Sequence, residues 1–198
     1  MVEHTSKHAA HEVAANERVM FGFWIYLMTD LLLFSVLFAA YAVLHGNTVG
    51  GVTGRTLFTL PLALQETILL LTSSFTCGLG LLAARQNKKW QTLVCFGITF
   101  ILGALFLSLE LKEFSEFIST GHTLQTNAFM SSFFVLVGTH GLHISSGLLW
   151  MAITMGYILK RGLNGPLIRK LALLSLFWHF LDIVWIFIFT IVYLGAYV

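Results

Sequence analysis

The chain has 198 residues, of which 57% are hydrophobic and 10% are charged, and its formal net charge at pH 7 is +2. Soluble domains carry about 25% charged residues, so this composition excludes an ordinary soluble domain and indicates a membrane protein. The small net charge gives no reason to expect a nucleic-acid partner, and none is predicted.

Five long apolar segments can each cross a bilayer as a helix, which takes about 20 residues. They are Phe21–Leu44, Leu60–Ala84, Thr92–Leu111, Ala128–Leu159 and Leu171–Val198. Strands of a membrane barrel alternate apolar and polar residues, whereas these segments are continuously apolar. We therefore predict an all-α membrane protein in which residues 1–20 form a polar, histidine-containing cytoplasmic tail and residues 21–198 form five transmembrane helices.

Basic residues are concentrated in alternate connections between the predicted helices. The first and third loops hold only Arg55 and Lys112. The amino-terminal segment and the second and fourth loops hold Lys7, Arg18, Arg85, Lys88, Lys89, Lys160, Arg161, Arg169 and Lys170. Because basic residues are retained on the cytoplasmic side, this distribution predicts a cytoplasmic amino terminus and a periplasmic carboxy terminus.

Ionisable side chains interrupt the predicted spans, although each costs about 2.5–3.5 kcal/mol at membrane depth by insertion scales. Depths estimated from the helix rise place five of them in one layer of the cytoplasmic half. We predict that these five form a buried polar cluster: Asp30, His140, His143, His179 and Asp182. Two other membrane carboxylates, Glu66 and Glu110, fall nearer the outer face and are expected to pack or to anchor loops. Glu113 and Glu116 are expected to be solvated.

Two interpretations of the polar cluster remain open. It is either a proton-active or gating group, or a polar clamp that holds three helices in register through hydrogen bonds. Each acid and histidine can form an ion pair, or the acid can be protonated and donate a hydrogen bond. Small residues beside the two histidines of the fourth helix remove bulk, which lets a neighbouring helix approach closely: Gly138, Gly141, Ser145 and Gly147.

Metal and haem ligation are poorly supported by the residue pattern. Two histidines do not make a metal site without further ligands. The sequence contains neither Cys-x-x-Cys-His nor His-Glu-x-x-His. We predict no catalytic, metal-binding or cofactor-binding residue in this chain. We expect four tryptophans to pack helices rather than to contact a cofactor: Trp24, Trp150, Trp178 and Trp185.

Three motifs together resemble a known family. They are Gly22–Asp30 (GFWIYLMTD), Gly138–His143 (GTHGLH) and Trp178–Trp185 (WHFLDIVW), on the first, fourth and fifth predicted helices. In this order they resemble subunit III of the haem-copper terminal oxidases, most closely the subunit III of bacterial bo-type ubiquinol oxidases. The resemblance covers nearly the whole chain beyond the tail, and this chain resembles the five-helix form, which lacks the first two of the family's seven helices.

The resemblance implies a supporting role in aerobic respiration. In that family, subunit I carries the haems and copper and reduces dioxygen to water, while subunit III holds no redox centre. Subunit III packs against subunit I, beside subunits II and IV and membrane lipids in the bacterial inner membrane, and supports assembly, stability and sustained proton pumping. Asp30 matches the family's carbodiimide-reactive carboxylate, which is usually glutamate in cytochrome c oxidases.

Two functions of other classes are weighed against this one. A small proton-coupled transporter would use the same acids, but the chain has no internal repeat of the kind that many transporters show. A haem- or metal-binding membrane protein would use His140, His143 and His179, and this ligand set is sparse.

Overall fold

The computed structural model describes the backbone of residues 2–45, 60–119 and 128–197, and side chains within these ranges from residue 17 onward. The elements are helices and turns, with no strand in these ranges, so the predicted all-α class is confirmed. The helices are α1 Val2–Leu44, α2 Leu60–Arg85, α3 Lys89–Ser119, α4 Ala128–Arg161 and α5 Gly165–Ile188, followed by a π-helical turn, Phe189–Leu194. All five are long and apolar enough to cross a membrane.

The helices extend beyond the apolar segments that predict them. α3 runs from Lys89 to Ser119 rather than from Thr92 to Leu111, because a helix continues through charged residues that end an apolar run. α1 begins at Val2, and its membrane-spanning part is Glu17–Leu44. The predicted boundary after residue 20 thus falls within one continuous helix, and the side chains of residues 1–16 lie outside the described residues.

Two tight turns close the antiparallel helix pairs α2–α3 and α4–α5. After α2, Asn87 adopts the left-handed conformation with φ 60°. The amide of Lys88 then donates to the carbonyl of Ala83 at 3.1 Å, which is the hydrogen bond of a Schellman motif. After α4, Gly162 has φ 71°. Asn164 caps α5 by accepting from the Leu167 amide at 3.0 Å.

Helix α5 is the most deeply buried of the five. It packs against α2 on one side and α4 on the other, while α3 covers α2 and α4. α1 packs mainly on α4 and touches α5 less, which leaves a groove of about 570 Å³ between α1 and α5. Every motif that resembles the oxidase family lies on α1, α4 or α5, so the packing of these three helices positions the candidate site.

Candidate functional site

The first polar pair of the site joins α1 to α4. The Oδ2 atom of Asp30 lies 3.8 Å from Nε2 of His143, a distance that suits an electrostatic contact but is too long for a hydrogen bond. On the other side of the ring, Nδ1 of His143 lies 2.7 Å from the Thr139 carbonyl oxygen. Because a carbonyl only accepts, Nδ1 carries a proton and Nε2 is the nitrogen that faces the acid.

The second polar pair lies on α5 and reaches α2. His179 Nδ1 is 3.9 Å from Oδ2 of Asp182 and 2.6 Å from the hydroxyl oxygen of Ser74. The His179 side chain is 41% exposed in the isolated chain, whereas that of Asp182 is 6% exposed. His179 therefore lies at the edge of the α1–α5 groove, with Asp182 behind it in the helix interface.

Two tryptophans of the third motif fasten α5 to α2. The indole N–H of Trp178 donates to the Ser73 hydroxyl at 3.0 Å, and that of Trp185 donates to the Thr67 hydroxyl at 3.1 Å. Both rings are buried. The prediction that these tryptophans pack helices is confirmed, and their polar atoms are satisfied by hydroxyl groups of α2.

Sequence reasoning missed the hydroxyl partners on α2. Glu66 and Thr67 are followed seven residues later by Ser73 and Ser74, respectively. Polar residues repeating at nearly two helical turns in an apolar helix share one face. That periodicity is the signal that could have identified them as the partners of the tryptophans.

His140 has a different environment from the other predicted cluster residues. It is fully buried, stacked on Trp185 with ring centroids 5.5 Å apart, and in edge contact with Phe106 at 6.0 Å. Neither ring nitrogen has a hydrogen-bond partner among the described residues. The ring of Phe34 lies near both histidines, with its centroid 6.4 Å from that of His140 and 5.3 Å from that of His143.

The five predicted residues thus come together as two separate pairs and one histidine enclosed by aromatic rings. Asp30 faces His143, and His179 faces Asp182, while His140 is stacked on Trp185. Hydrogen bonds that join all five residues are not found within the described ranges. The arrangement can therefore couple α1 to α4 through the Asp30–His143 pair and α5 to α2 through the His179–Ser74 bond.

Two glycines beside the histidines permit close helix packing, as predicted. A Cβ atom at Gly141 would lie 3.1 Å from Oε2 of Glu110 on α3, and one at Gly147 would lie 3.1 Å from the Trp178 ring. At Gly138 the nearest atom would be 3.7 Å away, in the Phe114 ring, which is an ordinary contact. The small residues of α4 therefore let α3 approach closely at Gly141 and α5 approach closely at Gly147.

The prediction that Glu113 is solvated is wrong. Glu113 is buried, and the Tyr193 hydroxyl donates to its Oε2 at 2.9 Å. The cause is that α3 continues past the end of the apolar segment, so that Glu113 remains on the buried face together with Glu110. Glu66 is also fully buried, while Glu116 is exposed as predicted.

Metal ligation finds no support in the described part of the chain, where no three or more His, Cys, Asp or Glu side chains are arranged to hold an ion. The two cysteines, Cys77 and Cys95, are free thiols. The polar contacts of the described site support hydrogen bonding, ion pairing and proton binding.

Comparison with known proteins identifies the family. The family model of cytochrome c oxidase subunit III matches residues 1–197. The chain is 51% identical to cytochrome bo(3) ubiquinol oxidase subunit 3 of Pseudomonas aeruginosa, over 98% of this chain and 91% of that protein. It is 46% identical to quinol oxidase subunit 3 of Bacillus subtilis (87% and 85%) and to cytochrome c oxidase subunit 3 of Bacillus sp. PS3 (87% and 84%). The resemblance carried by the three motifs is confirmed, and the chain belongs to the cytochrome c oxidase subunit III family.

Proposed function

We propose that this chain is the non-catalytic subunit III of a proton-pumping ubiquinol oxidase in the bacterial inner membrane. The observation that carries the proposal is the 51% identity, over 193 residues, to a subunit named for ubiquinol oxidation. The relative named for cytochrome c oxidation is 46% identical over 173 residues. The higher identity over a longer stretch favours ubiquinol as the electron donor of the complex.

The chemistry of such a complex would lie in its other subunits. Subunit I would carry the haems and copper and reduce dioxygen to water, with subunits II and IV completing the assembly. This chain would contribute packing, with its amino terminus in the cytoplasm and its carboxy terminus in the periplasm. Its polar contacts fit this role, because the Asp30–His143 pair links α1 to α4, while the His179–Ser74 bond and the two tryptophan hydrogen bonds link α5 to α2.

The outer surface of the bundle also suits a subunit that packs against others. The groove between α1 and α5 is lined by apolar side chains and the exposed edge of His179. A polar group on a membrane-facing surface is costly unless it is paired. Nδ1 of His179 is bonded to Ser74, and the exposed part of its ring favours a neighbouring protein helix over a bare hydrocarbon environment.

Co-purification tests the proposed function directly. We expect the tagged chain, extracted from its native membrane in mild detergent, to bring with it larger membrane subunits and b- and o-type haem bands in a reduced-minus-oxidised spectrum. Harsher detergent should release this chain without colour. A chain that elutes alone and colourless, or one that retains haem by itself, would contradict the proposal.

Asp30→Asn tests whether the α1–α4 pair is structural. The amide keeps the size of the acid and can still interact with Nε2 of His143, so we expect an assembled complex whose initial rate of oxygen reduction is close to that of the wild type. The measurement is quinol-driven oxygen uptake by the purified complex, with Glu116→Gln, which removes an exposed acid, as the control. Loss of all turnover in an intact Asp30→Asn complex would show that Asp30 takes part in the reaction.

A further inference from the structure

A second group of ionisable residues lies apart from the polar pairs described above. It consists of Glu66 on α2, Glu110 and Glu113 on α3, and Tyr193 in the π-helical turn. These side chains are 0%, 3%, 4% and 0% exposed, respectively, in the chain by itself. Their burial therefore does not depend on any partner subunit.

This acidic group lies at one end of the bundle. Glu66 is six residues from the start of α2 at Leu60, and Glu113 is six residues from the end of α3 at Ser119. The tight turn at Asn87, which joins these two helices, is at the opposite end with the basic residues. With the proposed orientation, the acidic group lies in the periplasmic half of the membrane.

The acids of this group have few partners of opposite charge. Tyr193 donates a hydrogen bond to Glu113, but both oxygens of Glu66 and the Oε1 atom of Glu110 have no hydrogen-bond partner among the described residues. Within those same ranges, no Lys, Arg or His forms an ion pair with any of the three. Glu110 is close enough to Glu66 and Glu113 for electrostatic interaction with both.

A buried imidazole with two unsatisfied nitrogens precedes Gly141, the residue of α4 that lies close to Glu110. Oε2 of Glu110 lies 3.1 Å from the position of a Cβ at Gly141, the residue that follows His140. His140 is fully buried and has no hydrogen-bond partner in the described part of the chain. His140 also interacts electrostatically with His143, which lies one turn away on α4. The rings of Phe106 and Trp185 enclose His140, so the acidic group itself consists of the three glutamates and Tyr193.

The π-helical turn is part of the same arrangement. It places Tyr193 against Glu113, and its widened hydrogen bonding is seen in the 3.1 Å bond from the Gly195 amide to the Thr190 carbonyl. Such turns are rare and occur often at functional sites. The π-helical turn thus places the Tyr193 hydroxyl group on the buried Glu113, and this is a second observation that indicates a functional site here.

Electrostatics restricts the state of three neighbouring carboxyl groups in a membrane interior. Like charges at close range in a low dielectric cannot all be ionised, so the groups must share protons. A protonated carboxyl group both donates and accepts hydrogen bonds. Buried polar atoms without a protein partner are usually satisfied by internal water.

We propose that Glu66, Glu110 and Glu113, bordered by Tyr193, form a proton-binding site that exchanges protons with internal water. The ligand is the proton itself, carried by the carboxyl groups and shared between them through internal water. The site is separate from Asp30, and no three of its groups are arranged to hold a metal ion within the described ranges. It gives this chain a function in storing protons, beyond the packing role proposed above.

Infrared difference spectroscopy of the intact complex in light and heavy water tests this site. We expect the wild type to show carbonyl stretching bands of protonated carboxyl groups that shift in heavy water. The signal should decrease in Glu66→Gln, in Glu110→Gln and in Glu113→Gln, and it should be unchanged in the control Glu17→Gln, which removes an exposed acid of α1. Tyr193→Phe, which removes only the hydroxyl donor, should shift the band of Glu113 without abolishing it.

Each alternative outcome would overturn the proposal. Spectra of all three glutamine variants that match the wild type would mean that the acids are ionised. A band that disappears on addition of sodium would indicate a metal-cation site instead. Failure of Glu66→Gln, Glu110→Gln and Glu113→Gln to assemble would also overturn it, because an amide imitates a protonated carboxyl group in size and polarity. If only some of the glutamine variants assemble, the spectrum of Tyr193→Phe decides the matter. A carboxyl band of Glu113 that is unchanged in Tyr193→Phe would contradict the proposed site.

Discussion

Replacing Trp178 with alanine is expected to destabilise the chain by about 3–5 kcal/mol, the cost of emptying a buried aromatic position. The Trp178 ring is fully enclosed and fills the space that Gly103 on α3 and Gly147 on α4 leave open. Its loss would also remove the hydrogen bond to Ser73 that holds α5 to α2. The substitution therefore weakens the packing of α5 against three neighbouring helices at once.

The measurement for Trp178→Ala is the temperature at which the purified protein loses its monodisperse peak after heating in mild detergent. The matched control is Trp90→Ala, since Trp90 is 73% exposed and makes no enclosed contact in the bundle. We expect the control to unfold close to the wild-type temperature. Equal losses in both variants would mean that Trp178 has no special packing role.

Replacing Gly103 with alanine is expected to be destabilising by about 1–3 kcal/mol, the usual cost of overpacking a filled interior. The added Cβ would lie 2.8 Å from two atoms of the Trp178 ring and 3.1 Å from a methyl group of Leu148. Because the ring is held by its bond to Ser73, it cannot move aside without losing that bond. The same heating measurement reports the effect.

The control for Gly103→Ala is Gly156→Ala, where a Cβ would meet nothing within 4 Å. Alanine is favoured over glycine in a helix by about 1 kcal/mol, so this control should be neutral or slightly stabilising. Combining Gly103→Ala with Trp178→Phe provides a second check. Residues in contact are not additive, and the smaller ring should relieve part of the overpacking. If the temperature shifts of the two single variants add up fully in the double variant, the proposed contact between position 103 and Trp178 would be contradicted.

The helices could be predicted from the sequence because hydropathy identifies membrane spans by length and composition alone. The roles of Gly141 and Gly147 could also be predicted, since small residues at helix interfaces leave room for a neighbour. Hydropathy does not say which way a residue points. It therefore missed Ser73 and Thr67, whose hydroxyl groups are needed only because two indole N–H groups of α5 face them.

Hydropathy also fails to predict the burial of Glu113, a charged residue that lies inside the bundle. Its place beyond the last apolar residue of the third segment predicts a solvated side chain, but the buried positions of α3 continue through it. Phe106, Glu110, Glu113 and Phe117 are all buried at spacings of four, three and four residues, the period of one helix face. Following this helical period past the charged residues would have predicted that Glu113 lies inside the bundle.

The π-helical turn makes the length of its segment matter, independently of which residues the segment contains. A π-helical turn contains about one residue more than an α-helical turn, so every residue after Phe189 is displaced around the helix axis. A relative that is one residue shorter between Phe189 and Leu194 would form an ordinary turn and direct a different side chain toward Glu113. Among related chains, a one-residue gap in this segment would therefore separate those that can place the Tyr193 hydroxyl on that acid from those that cannot.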